Sequence, residues 1–198
     1  MRVPGAVAVL LLAWGGTAAW MPVGAIPEDL RLPAHVTGPP PAHTGGFGEP
    51  TCLICHEGDD LNAFGGKVTI VGLPEAYLPG ETYVITVVLE AAETSVAGFQ
   101  LAARFLEGHA RGRPAGRLAS LDPRVAVTPG DTGQPYAHHT HAGTETLDAT
   151  GSSWLVQWAA PFQGGPVVFH VAANSGNGDN SPLMDLVYAA EVRLPPIS

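Results

Sequence analysis

Residues 82–90 read T-Y-V-I-T-V-V-L-E and carry the clearest secondary-structure pattern of the chain. Its side chains Tyr83, Ile85, Val87 and Leu89 recur at every second position, so an extended strand would carry all four on one face. A repeat of two fits this stretch better than the 3.6-residue repeat of a helix. Residues 82–90 therefore predict a half-buried β-strand.

The same alternation of apolar and polar residues continues along the chain after residue 66. Short runs of alternating apolar residues are separated by Gly, Pro and Asp, and Pro79-Gly80 and Pro129-Gly130 are turn signals. No long helical pattern intervenes, so the fold class is all-β, an immunoglobulin-like antiparallel β-sandwich over residues 66–198. The predicted strands are residues 67–71, 82–90, 97–105, 116–121, 124–128, 153–159, 165–173 and 186–194. Trp154 and Trp158 share a strand face and are expected in the core.

Composition restricts the class of partner. The chain has 198 residues, enough for one ordinary domain, and a formal net charge of −9. Lys67 is the only lysine and the arginines are mostly scattered. Nucleic acids and anionic lipid surfaces are therefore poor candidates, whereas basic protein patches suit this charge.

The N-terminal residues 1–25 are typical of a secretory signal peptide. A single Arg precedes an apolar run of about ten residues and then small residues, which predicts cleavage after Ala19 or Ala25. An uncleaved N-terminal anchor is the alternative. The protein is expected to be exported, to the periplasm or the extracellular space, with no membrane span in the mature chain. Residues 26–50 are rich in Pro and Gly and predict an extended linker or a wrapped arm.

Both cysteines of the chain lie in T-C-L-I-C-H-E-G, residues 51–58. C-x-x-C-H is the attachment signature of a c-type haem. The thiols of Cys52 and Cys55 add across the two vinyl groups of the porphyrin, and His56 is then placed to bind the iron as the proximal ligand. Residues 51–65 are therefore predicted to be a haem c attachment segment with one covalent haem.

The two cysteines have three other possible interpretations. A thioredoxin-like dithiol would sit at a strand-to-helix junction, whereas a Pro/Gly arm precedes this pair. A disulfide between Cys52 and Cys55 would close a very short loop and constrain little of the unfolded chain. A zinc site would need a second cysteine pair or another histidine at a suitable place.

Several segments resemble a family of exported bacterial proteins in which one c-type haem motif precedes a reeler-like β-sandwich, also called a choice-of-anchor domain. The segments are G-P-P-P-A-H-T-G-G-F-G-E-P-T-C-L-I-C-H (38–56), V-T-I-V-G-L-P-E-A-Y-L-P-G-E-T-Y-V-I-T-V (68–87), A-G-F-Q-L-A-A (97–103) and A-A-N-S-G-N-G-D-N-S (172–181). The resemblance implies a haem-binding, electron-transfer protein whose sandwich encloses part of the haem. Phe47 stands where the family has proline, and residues 186–198 do not resemble the sorting segment that many relatives carry.

The second axial ligand of the iron is expected on a long connection, residues 129–153, that could fold over the porphyrin. Y-A-H-H-T-H-A-G-T, residues 136–144, aligns the His-Thr pair of the family with His139 and Thr140, which favours His139 as the distal ligand. His138, His141 and Met184 are the alternatives, and an open position that binds a small gas is another. The arm histidines His35 and His43 could instead serve the haem of a neighbouring subunit.

The function expected from these observations is that of an exported c-type cytochrome, which carries single electrons between redox partner proteins. One alternative is a non-catalytic adhesion or assembly module with a structural or sensory haem. Another is a gas-reactive or peroxidase-like haem protein. No nucleophile, base and orienting residue are arranged as in an enzyme, so no catalytic activity is expected. Subunits could also associate with their haems stacked.

Overall fold

The computed structural model describes residues 35–163 and 165–197. The predicted signal peptide and the first residues of the arm lie outside this range. Nine strands occur in the described part of the chain. They are β1 (Gly66–Val71), β2 (Thr82–Ala91), β3 (Val96–Phe105), β4 (Arg117–Ser120), β5 (Val125–Pro129), β6 (Pro135–His139), β7 (Gly151–Ala159), β8 (Val167–Gly176) and β9 (Leu186–Leu194).

The strands form two antiparallel sheets, as the alternating pattern predicts. The first sheet has the order β1-β2-β7-β4 and the second the order β5-β6-β3-β8-β9. In the second sheet, β3 lies between β6 and β8, with Gln100 opposite His138 and Ala173 opposite Phe99. The all-β class with two antiparallel sheets is therefore confirmed.

The core lies between the sheets and is built from alternate residues of the central strands. Ile85, Val87 and Leu89 of β2 are almost fully buried, in agreement with the face predicted from residues 82–90. Trp154 and Trp158 of β7 are also buried, at 1% and 0% exposure, so their predicted core position is confirmed. The Trp154 ring stacks on Phe99 of β3 with 4.6 Å between ring centroids, which joins the two sheets.

One connection is shorter than predicted. Eight of the nine strands overlap the eight strands predicted from the sequence. The ninth, β6, lies within residues 129–153, which were expected to form one long loop, and a short turn, Ala142–Thr144, follows it. His138 and His139 therefore belong to a strand that pairs with both β3 and β5. Ladder hydrogen bonds on both sides of P-Y-A-H-H outweigh the turn-forming residues that flank it.

Residues 35–50 of the arm are wrapped over the outer face of the second sheet. The side chain of Gln100 accepts a 2.6 Å hydrogen bond from the His43 backbone N–H and donates a 2.9 Å bond to the Pro40 carbonyl. Glu49 forms an ion pair with Arg104 beneath the arm. Gln100 and Arg104 are thus buried beneath the arm, which pairs with the Gln100 amide and with Nη2 of Arg104. Nη1 of Arg104 has no hydrogen-bond partner among the described residues.

Within residues 35–163 and 165–197, no helix is long and apolar enough to cross a membrane.

Candidate functional site

The C-x-x-C-H motif forms a single helical turn. Its 3₁₀ segment is Cys52–Ile54, and the side chain of Thr51 caps it by accepting a 3.3 Å hydrogen bond from the Leu53 N–H. The N–H groups of Cys55 and His56 both donate to the Cys52 carbonyl, over 3.1 and 2.9 Å. Cys55 and His56 follow Cys52 by three and four residues, so each lies near Cys52 on the side of the turn that Cys52 faces.

That side of the turn borders a cleft of about 170 Å³ at one end of the sandwich. Cys52, Cys55 and His56 line it together, and His139 at the end of β6 lines it as well. The cleft is smaller than the roughly 300–1,000 Å³ of pockets that enclose a drug-sized ligand. A flat group as large as a porphyrin would therefore extend beyond it. The other polar residues that line the cleft are His35, His43, Thr144, Asn174, Asn180, Ser181 and Asp185.

The imidazole of His56 is held by a carboxylate distant in the sequence. Nδ1 of His56 lies 2.6 Å from Oδ2 of Asp185, whose side chain is only 4% exposed. A carboxylate accepts hydrogen bonds, so the neutral imidazole carries its proton on Nδ1. The lone pair is then on Nε2, the atom that a metal would bind.

His139 is neutral in its surroundings and both of its nitrogens are engaged. Nδ1 accepts a 3.0 Å hydrogen bond from the Phe99 N–H, and Nε2 donates a 2.9 Å bond to the His35 carbonyl. Burial lowers the pKa of His139 below 6.5, and the nearby His138 and His56 lower it further, against the opposing effect of the two backbone contacts. Gly98 leaves room for this ring, because a Cβ at that position would lie 2.7 Å from Cε1 of His139.

The two thiols are not equivalent. Burial raises the pKa of Cys52 from 9.0 to about 12, and the neighbouring Cys55 adds to the rise, although a backbone hydrogen bond opposes it. Cys52 and Cys55 are both free thiols. A thiol with so high a pKa stays protonated at neutral pH, which is opposite to the lowered pKa of a redox-active dithiol.

The alternative distal ligands lie outside the cleft. His138 points to the other side of β6, where Nδ1 lies 2.7 Å from the carbonyl of His139, and the ring packs on Gly38 of the arm. His141 is exposed and Met184 is 80% exposed. Of the four predicted candidates, His139 alone lines the cleft with His56.

Several polar residues of the cleft were not predicted as part of a haem site in this chain, among them Asp185, His35 and His43. Asp185 lies in a polar segment that resembles an ordinary turn, so its contact with His56 has no local sequence signal. His35 and His43 border the cleft of their own chain. The repeated P-A-H sequence of the arm was the only signal that set these two histidines apart.

The residue types on the turn are compatible with the attachment of a c-type haem. Cys52 and Cys55 lie three apart and are followed directly by His56, the spacing that such an attachment requires. His139 lines the same cleft and offers a second imidazole. Among the described residues, no group of three or more His, Cys, Asp or Glu side chains could hold a metal ion.

The sandwich is similar to several solved structures. The human F-spondin reeler domain (fragment 1) is 19% identical, covers 73% of this chain and 98% of its own, and gives a TM-score of 0.48. The Reelin-N domain of F-spondin is 18% identical over 74% and 96% of the two chains, with a TM-score of 0.47. A cohesin module from the family 33 glycoside hydrolase of Clostridium perfringens is 14% identical over 68% and 98%, with a TM-score of 0.44. No protein-family model and no curated protein matches the sequence.

Proposed function

We propose that this protein is an exported c-type cytochrome with a reeler-like β-sandwich, which binds one covalent haem and passes single electrons between redox partners. The observation that carries the proposal is the shared cleft: Cys52, Cys55 and His56 lie on one turn and line it together with His139. A haem bound there would supply one iron centre that takes up and releases an electron.

The helical turn would hold the porphyrin through its two thiols. Cys52 and Cys55 would each supply the sulfur of one thioether bond by adding S–H across a vinyl C=C bond, with the hydrogen going to the other vinyl carbon. No oxidant is needed for this addition.

His56 and His139 would be the two protein ligands of the iron. His56 needs no rearrangement, because its Nδ1–H is already directed at Asp185. His139 would have to release the His35 carbonyl from Nε2 and move its proton to Nδ1, which would also break the 3.0 Å hydrogen bond that Nδ1 accepts from the Phe99 N–H. The Phe99 carbonyl, 3.3 Å from Nδ1, is in place to accept that proton in a hydrogen bond.

The shape and charge of the molecule suit electron exchange at its surface. Because the cleft is smaller than a porphyrin, an edge of the macrocycle would remain accessible to a partner. The formal net charge of −9 favours partners with basic patches and predicts association that weakens as salt is added. Export to the periplasm or beyond is part of the same proposal.

A potentiometric titration tests the electron-transfer function. The haem-loaded protein should be reduced and reoxidised reversibly, with an absorption change that follows a one-electron Nernst curve. Irreversible bleaching, or an iron centre that mediators cannot reduce, would contradict it. The Cys52→Ala/Cys55→Ala protein is the matched control and should show no such titration.

A second candidate, a gas-reactive haem protein, is favoured by one contact. Nε2 of His139 is hydrogen-bonded to the His35 carbonyl, and if that bond persisted the iron would keep an open position. Carbon monoxide distinguishes the two functions: the spectrum of the reduced protein stays unchanged with two firm histidine ligands and shifts if a position is open.

A further inference from the structure

We propose that Asp185 is a positioning residue for the iron, which fixes the tautomer of His56 and lowers the reduction potential of the centre. The inference rests on the proposed function, because it concerns the same site. Its physical basis is the 2.6 Å contact between Oδ2 of Asp185 and Nδ1 of His56, two residues 129 positions apart in the sequence.

The carboxylate is held rigidly around this contact. Asp185 is 3% exposed, and a buried carboxylate needs partners to offset its desolvation. Oδ2 also accepts a 3.3 Å hydrogen bond from Nδ2 of Asn174, and Oδ1 accepts a 3.2 Å bond from the Asn177 N–H. These two bonds orient the group and leave Oδ2 directed at the imidazole.

The backbones of the two segments are also joined. The Glu57 N–H donates a 2.7 Å hydrogen bond to the Pro182 carbonyl. Gly58 approaches so closely that a Cβ there would lie 1.8 Å from the carbonyl oxygen of Asp185. The distance between His56 and Asp185 is therefore set by the main chain as well as by the side chains.

A carboxylate on Nδ1–H makes the imidazole a stronger donor at Nε2. Such a partner raises the basicity of a ligating histidine, and removing it typically changes metal affinity about 10–100-fold. A more basic ligand favours ferric over ferrous iron. We take the 10–100-fold change to apply to the ratio of ferric to ferrous affinity. Loss of the negative charge should then raise the midpoint potential by about 59–118 mV, at 59 mV per tenfold for one electron.

The test compares Asp185→Asn with Asp179→Asn in the haem-loaded, full-length mature protein. Both variants remove one negative charge from the same loop. Asp179 is exposed, accepts a 2.7 Å hydrogen bond from the Ser181 N–H and does not line the cleft, so it controls for the general effect of charge. The expected result is a rise in midpoint potential for Asp185→Asn and a much smaller change for Asp179→Asn.

Equal potentials in the two variants would overturn the inference while leaving the proposed function intact. Failure of the wild-type protein to attach haem would overturn the proposed function instead. A second readout does not need haem: in the Cys52→Ala/Cys55→Ala chain, ¹⁵N chemical shifts of His56 should report the Nδ1–H tautomer, and Asp185→Asn should lower its population. An unchanged tautomer population would also contradict the positioning role.

Discussion

Nε2 of His139 donates a 2.9 Å hydrogen bond to the main-chain carbonyl of His35, so the arm and strand β6 meet at the edge of the cleft. The same arm segment borders the cleft through His35 and His43. Haem ligation by His139 therefore requires this contact to be exchanged for a bond to iron. Binding of iron by His139 would therefore free the arm at His35 from strand β6.

Replacement of His139 by alanine should change the haem spectrum. Loss of the distal imidazole should convert a low-spin spectrum into a high-spin one and allow the reduced protein to bind carbon monoxide. The matched control is His141→Ala, since His141 is exposed and does not line the cleft. A low-spin spectrum that persists in His139→Ala would contradict this ligand assignment.

A methyl group at position 98 should displace the His139 ring. The added Cβ would lie 2.7 Å from Cε1 and 2.8 Å from Nδ1 of His139. We expect Gly98→Ala to lower the free energy of unfolding by about 1–3 kcal/mol, the usual effect of overpacking. Denaturant titration measures this. Gly165→Ala, whose Cβ would meet Phe105 at 3.5 Å, should change stability much less, and equal effects would argue against crowding at His139.

The ion pair beneath the arm should contribute strongly to stability. Arg104 and Glu49 have side chains only 4% and 13% exposed, and the Tyr136 hydroxyl donates a 2.6 Å hydrogen bond to Glu49. Glu49→Ala would leave a buried guanidinium without its counter-charge, so we expect a loss of about 3–5 kcal/mol in the free energy of unfolding.

The exposed pair of Lys67 and Glu90 provides the control for this prediction. Both side chains are more than half exposed. Glu90→Ala should therefore cost less than about 1 kcal/mol in the same denaturant titration. Similar losses in Glu49→Ala and Glu90→Ala would show that the arm is not held by its buried pair.

Acid should destabilise the fold through His170. Burial lowers the pKa of this imidazole below 6.5, and Arg104 lowers it further, while Glu191 and Glu49 oppose the shift. Since the unfolded chain then binds more protons than the folded chain, the contribution of His170 to stability is present above pH 6.5. It is lost as the pH falls from about 6.5 through the lower pKa of the folded state.

Unfolding titrations between pH 7 and pH 5 test this pH dependence. His170→Gln should show a shallower fall in stability than the wild-type protein. His109→Gln, which changes an exposed histidine on a loop, should follow the wild-type curve. If the His170→Gln and wild-type curves ran parallel, His170 would not be the responsible group.

Periodicity predicted most of the fold because burial in a sandwich leaves a direct trace in the sequence. Alternate residues such as Ile85 and Val87 face the core, and the intervening ones do not. The pattern failed at β6, where His138 is covered by the arm and His139 borders the cleft. One face of that strand carries Tyr136 and His138 and the other carries Ala137 and His139, so a histidine on each face masks the apolar alternation.

The candidate site was likewise predicted only in part from the sequence. Cys52, Cys55 and His56 are neighbours in the chain, so a local motif specified their arrangement on one turn. The contact of His56 with Asp185 joins segments 129 residues apart, and only the folded backbone brings them together. No local pattern distinguishes Asp185 from other polar turn residues.

The covalent haem content of the purified protein tests whether Cys52 and Cys55 attach a haem. The protein should be produced with its export signal in cells that contain haem-attachment machinery, and the purified mature chain assayed as the pyridine haemochrome and by intact mass. We expect one covalently bound haem per chain, and none in Cys52→Ala/Cys55→Ala. A wild-type chain that carries no covalent haem under these conditions would contradict this expectation.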